Sequence, residues 1–166
     1  MTRLIRIDWP DHGTPDIPPA LCLEDCTARL QDLRRAAAAQ EYDAIVVYGD
    51  REHAANLHWL TGFDPRFEEA VLVVTPGDAL LLAGNECLAY TAVSPLVQAG
   101  VVRTGLCASL SLPSQPRGGR RLIDWLAEML ALDDRVGAIG WKWYGPDEVD
   151  DPATALDIPC LLYTSD

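Results

Sequence analysis

The chain has 166 residues, of which 49% are hydrophobic and 23% charged, with 25 acidic side chains against 13 basic ones and a formal net charge of -12. That length suits one domain with a core that needs no disulfide or metal to close it, and the composition excludes a disordered chain. A pI near 4.5 repels phosphate backbones and anionic lipid, so no nucleic acid and no membrane is expected as a partner.

Residues 1–22 carry Pro10, Pro15, Pro18 and Pro19 with little periodicity and read as an extended N-terminal arm. Arg3, Arg6 and Asp8 interrupt its apolar residues, so it lacks the continuous core of a secretory signal. The longest apolar runs, such as Ala70–Thr75, fall far short of the ~20 residues that span a bilayer. A cytoplasmic protein is expected. Lys142 is the only lysine, and the Arg- and Ala-rich usage points to a GC-rich bacterial genome.

From Leu23 to Gln40 the residues Leu23, Cys26, Leu30, Leu33 and Ala37 recur at helical spacing. Glu24 and Asp25 near the start suit the positive end of the helix dipole. Ala44–Tyr48 is a short β-branched run of the kind buried on both faces of a sheet, ended by Gly49-Asp50. A second helix is predicted from Glu52 to Leu60, stopped at Gly62. Ala70–Thr75 and Ala79–Ala83 read as a hairpin joined by Pro76-Gly77-Asp78, with Gly77 supplying a positive φ. Val101–Thr104 is a further strand, and Leu106–Arg117, rich in Ser and Pro, is a loop. A third helix is predicted over Gly119–Leu132, with Leu122, Ile123, Leu126, Met129 and Leu130 on one side. Val136–Gly140 is the last buried strand. Alternating helices and strands define an α/β fold, and the hairpin makes the sheet mixed.

Familiar chemistry finds no footing in the spacing. His53 and His58 are five residues apart, which turns them about 140° away from each other on a helix. A helical metal pair needs a spacing of three or four. The adjacent pairs Glu68-Glu69 and Asp133-Asp134 diverge in any regular element, and Asp147, Glu148, Asp150 and Asp151 read as a solvated loop. The cysteines Cys22, Cys26, Cys87, Cys107 and Cys160 are odd in number and unpatterned, so they read as reduced apolar residues. Arg117-Gly-Gly-Arg-Arg121 precedes a helix and could hold a small anion there. Trp59, Phe63 and Phe67 surround Asp64, Pro65 and Arg66. That grouping fits either a binding rim or ordinary helix-to-strand packing.

Together these landmarks resemble the N-terminal domain of the creatinase, prolidase and aminopeptidase P family, with its pita-bread metallopeptidase members. The likeness runs over residues 23–159, through Arg29-Leu-x-x-Leu-Arg, Asp43-Ala-Ile-Val-Val-Tyr-Gly-Asp, Asn56-Leu-x-x-Leu-Thr-Gly-Phe and Glu69-Ala-Val-Leu-Val-Val. Gly84-Asn-Glu, Gly140-Trp-Lys and Ala155-Leu-Asp-Ile-Pro159 continue it, similar to Xaa-Pro aminopeptidase-like members. The resemblance implies a roughly six-stranded mixed sheet with helices on both faces. It implies a non-catalytic domain whose metal-dependent chemistry sits on a C-terminal domain that this chain lacks, with two divalent ions (Mn, Co or Zn) there and no cofactor here. Expected partners are that domain, neighbouring subunits of a homodimer or tetramer, and peptide substrate. By the same analogy Trp59, Phe63, Asp64, Arg66, Phe67, Asn85, Glu86 and Tyr90 are candidates to contact substrate or a subunit. Residues 160–166 depart from the family pattern and resemble translated adapter sequence, the mark of a truncation. Two other functions remain open: a creatinase-like amidinohydrolase as parent, or a stand-alone α/β module binding a small anion at Gly118–Arg121.

Overall fold

The computed structural model of the protein describes residues 5–8, 10, 13 and 21–140. Of the predicted arm, Ile5–Asp8 are exposed and belong to no helix or strand, while Leu21 packs against the core. Most of the arm, Gly140-Trp-Lys beyond its glycine, the acidic run, Ala155–Pro159 and the tail 160–166 lie outside the described residues.

Helix α1 (Leu23–Ala39) forms where the apolar period predicts it, with the exposed Cys22 as N-cap and its sulfur accepting from Asp25 N–H at 3.4 Å. Cys26 and Leu30 are its fully buried residues. Strand β1 (Ala44–Gly49) follows, buried along its whole length. Helix α2 (Ala55–Thr61) starts three residues later than predicted. Its start is displaced because the Asp50 carboxylate accepts from the amides of Glu52 and His53 at 2.8 and 2.7 Å. That bond pattern offers the backbone a turn in place of a helix. Gly62 closes α2 in the left-handed conformation, φ 74°.

Strands β2 (Ala70–Val74) and β3 (Ala79–Ala83) form the predicted antiparallel hairpin. Its turn differs from expectation. Gly77 takes no positive φ; the Thr75 hydroxyl instead accepts from Asp78 N–H at 3.0 Å while Thr75 N–H donates to Asp78 C=O at 3.0 Å. A 3-10 turn at Ala89–Val93 and a short helix α3 (Pro95–Gln98) come next, both too short to carry a readable period. Strand β4 (Arg103–Leu106) is shifted two residues from its predicted place. The amides of Val101 and Val102 are taken by Leu96 C=O, which ties them to the end of α3.

The Leu106–Arg117 segment is not simply a loop: Ala108–Leu110 make a 3-10 turn that buries Ala108 and Leu110. Helix α4 (Leu122–Met129) is shorter than predicted at both ends. Gly119 has φ 118°, Arg121 is extended as N-cap, and Leu130 is extended at the other end. Ile123 faces outward and Trp125 takes its place against the sheet. Strand β5 (Val136–Ile139) pairs parallel to β1. It is half-exposed where burial was expected, because among the described residues it is an edge strand with one neighbour.

The result is a mixed sheet of five strands among the described residues, order β4-β3-β2-β1-β5, against the roughly six expected. Helices cover both faces. Cys26, Leu30, Leu57, Leu60, Phe63 and Leu96 pack on one side against Val47, Leu72 and Leu81. Leu110 and Leu122, with Trp125 and Leu126, pack on the other against Val46, Val71, Val73 and Leu80. Alternate residues of the central strands thus feed opposite cores, which is why those strands read as continuous apolar runs. Asp43 and Arg135 tie the starts of β1 and β5 through two backbone bonds of 2.8 and 2.7 Å, one of them to the Asp43 carboxylate.

Candidate functional site

Strand directions decide where function can gather. β1 is parallel to β5, and β3 to β4, while β2 runs against both of its neighbours. Four strands therefore point one way, and the register sets Gly49, Ala83 and Leu106 at the same end of the sheet as the start of β2 at Ala70. The carboxyl ends of parallel strands are where loops of α/β folds bind ligands. Here the segments after β1, before β2, after β3 and after β4 meet at that end.

Three of these segments are bound into one rim. Glu68, only 2% exposed, accepts from Cys87 N–H at 2.8 Å and from Glu86 N–H at 3.2 Å. Gly84 makes room for it, since a Cβ there would lie 2.7 Å from the Glu68 carboxyl carbon. The Cys87 thiol donates to Pro65 C=O at 3.0 Å, and burial followed by the Glu68 hydrogen bond pushes that thiol up to about 12. Such a thiol is inert at neutral pH. Asn85 donates through its backbone and side chain to the Ser111 hydroxyl at 2.8 and 2.9 Å, and to Pro116 C=O at 2.7 Å. Gln115 reaches Glu86, and Arg117 donates to Ser109 and Ser111 carbonyls.

The predicted site residues divide on this frame. Phe63 is fully buried and belongs to the core, so it underlies the rim and does not stand on its surface. Tyr90 leans on it, ring centroids 6.0 Å apart, and is itself 39% exposed. Arg66 lies 5.8 Å from the Tyr90 ring centroid, and no ion pair engages it among the described residues. Phe67 is exposed nearby in sequence. Asp64 is structural, its carboxylate accepting from Arg66 N–H at 2.7 Å. Asn85 and Glu86 join the rim through the bonds above. Trp59 does not join them. It stands exposed on α2, where Arg29 lies 5.0 Å over its ring and donates to its carbonyl at 2.8 Å.

Arg66 has φ 60°, a left-handed conformation that costs a side-chain-bearing residue about 1 kcal/mol or more. Arg66→Gly should therefore stabilise the isolated chain by about 0.5–1 kcal/mol, read as a higher urea midpoint. A lower midpoint would mean that the stacked guanidinium outweighs the strain.

Residues that the sequence reading undervalued lie beside the rim. Glu69 and Asp50 flank the buried Tyr48 hydroxyl. Burial, and then the neighbouring Asp50 charge, raise the Glu69 carboxyl above its usual range against the opposing pull of Tyr48 and Arg117. Tyr48 is raised as well, by burial first and then by the two carboxylates. Asp50 is itself desolvated, yet hydrogen bonds from the His53 ring and from the Glu52 and His53 amides hold its carboxyl low. His53 Nδ1 sits 3.0 Å from Asp50 Oδ1. Glu68 and Glu69 do diverge, one into the rim and one toward Tyr48. Their adjacency in sequence gave no sign that one would be buried.

Among the described residues no three His, Cys, Asp or Glu side chains converge to hold a metal, so they do not fit a dinuclear centre. No helix of the described part is long and apolar enough to cross a membrane. A cleft of about 230 Å³ opens at the far end of the sheet, over Ala44, Ile45 and Val74, and contains none of the predicted site residues.

The arginines ahead of α4 are already engaged. Arg121 pairs with Asp124 at 2.7 Å, and the Asp124 carboxylate also accepts from the Arg121 amide at the helix start. Arg120 stacks 3.8 Å over Trp125 and pairs with Glu128 at 2.7 Å. A carboxylate thus stands where an added anion would sit. Inorganic phosphate at millimolar concentration should leave the melting temperature unchanged in a thermal-shift assay; a rise of several degrees that Arg121→Ala abolishes would revive the anion site.

The α/β layering and the rim at the carboxyl ends define a mixed α/β domain. The Creatinase/Prolidase N-terminal domain family model matches residues 29–140, and the chain belongs to that family. Among solved structures it is similar to the X-prolyl aminopeptidase of Caenorhabditis elegans, a cytosolic enzyme with a di-nuclear active site: 18% identity, TM-score 0.48, covering 68% of this chain and 19% of that one. It is also similar to dipeptidase PepE of Mycobacterium ulcerans (19%, TM-score 0.43, 53% and 24%) and to a proline dipeptidase of Streptococcus agalactiae (15%, TM-score 0.41, 68% and 93%). The matched region spans a quarter or less of the first two proteins. No curated protein sequence matches the chain.

Proposed function

We propose that this domain is the non-catalytic N-terminal part of a metal-dependent, Xaa-Pro aminopeptidase-like hydrolase, where it shapes access to the active site and supplies subunit contacts. The observation that carries this reading is the rim, in which a buried Glu68 and fixed Asn85 hold Arg66 and Tyr90 at the surface beside the exposed Phe67. Aromatic and Arg side chains fixed before contact lose little freedom on docking and make effective anchors. The chemistry belongs to a second domain, with two divalent ions (Mn, Co or Zn) activating water for attack on a peptide bond. The partners in this reading are that domain, a neighbouring subunit of a homodimer or tetramer, and a short peptide.

The purified chain, incubated with Mn, Co or Zn and an Xaa-Pro peptide, should show no turnover above the metal-only control. Stoichiometric metal-dependent hydrolysis would sink the reading. In the parent enzyme, Arg66→Ala with Tyr90→Ala should raise KM or lower the oligomer mass in light scattering. If both stay at the parent values, the rim has no such role.

A further inference from the structure

No further inference is drawn: the strongest candidate, the half-buried cluster of Tyr48, Asp50, His53 and Glu69 at the carboxyl end of β1, carries nothing because the structure does not show what covers it beyond Gly140.

Discussion

Phe63→Ala lowers the stability of the chain by about 3–5 kcal/mol, the cost of emptying a fully buried aromatic site. Phe63 lies in the core between the helices and the sheet, and Tyr90 of the rim rests against it. The loss therefore reaches the surface: with its support gone, Tyr90 no longer holds one position under Arg66. Urea denaturation followed by tryptophan fluorescence measures the first effect, as a lower midpoint at similar slope. Phe63→Leu, which keeps most of the volume, should cost clearly less. Equal midpoints for wild type and the alanine variant would remove Phe63 from the core and return it to the list of contact residues.

Gly140→Ala costs more than ~3 kcal/mol for a different reason, a backbone that cannot accept a side chain. Gly140 has φ 118°, and a Cβ there would lie 2.1 Å from Tyr48 C=O and 3.2 Å from Tyr48 N. Neither contact involves a flexible side-chain end that could swing away. Relief requires the chain leaving β5 to lift off β1, whose parallel pairing reaches Val47↔Ile139. Gly77→Ala is the matched control, with open space around its would-be Cβ and no positive φ. Its melting temperature should stay within a few degrees of wild type, while the Gly140 variant falls well below it. Two variants that melt together would show that the crossing at Tyr48 is loose.

The elements legible in the sequence were those whose pattern is set by burial alone. Helix α1 carries a regular apolar period and strands β1, β2 and β3 carry continuous apolar runs, and they formed within a residue of their predicted ends. The misplaced boundaries were set by single polar atoms: the Asp50 carboxylate delayed α2, and Leu96 C=O captured the residues expected to open β4. No periodicity records such bonds. The site was legible only as a neighbourhood. Arg66, Phe67 and Tyr90 did come to the surface, but Phe63 went inside because its side chain faces the helical layer. Glu68 was passed over, since a carboxylate beside another carboxylate reads as solvated until Gly84 is seen to make space for it. The basic run before α4 does cap that helix, with Arg121 at the N-cap, and its cations pair with Asp124 and Glu128.

The pairing of β1 with β5 has a consequence for how the chain is made. β1, β2 and β3 are consecutive and can zip together as soon as Ala83 has left the ribosome. The other flank of β1 waits for β5, and the bond from Arg135 N–H to the Asp43 carboxylate joins residues 92 apart. During that interval the strand Ala-Ile-Val-Val-Tyr-Gly offers an open, uncharged edge to any neighbouring nascent chain. Synthesis rate and chaperone supply, more than the equilibrium stability of the finished sheet, then decide how much of this domain reaches its native form.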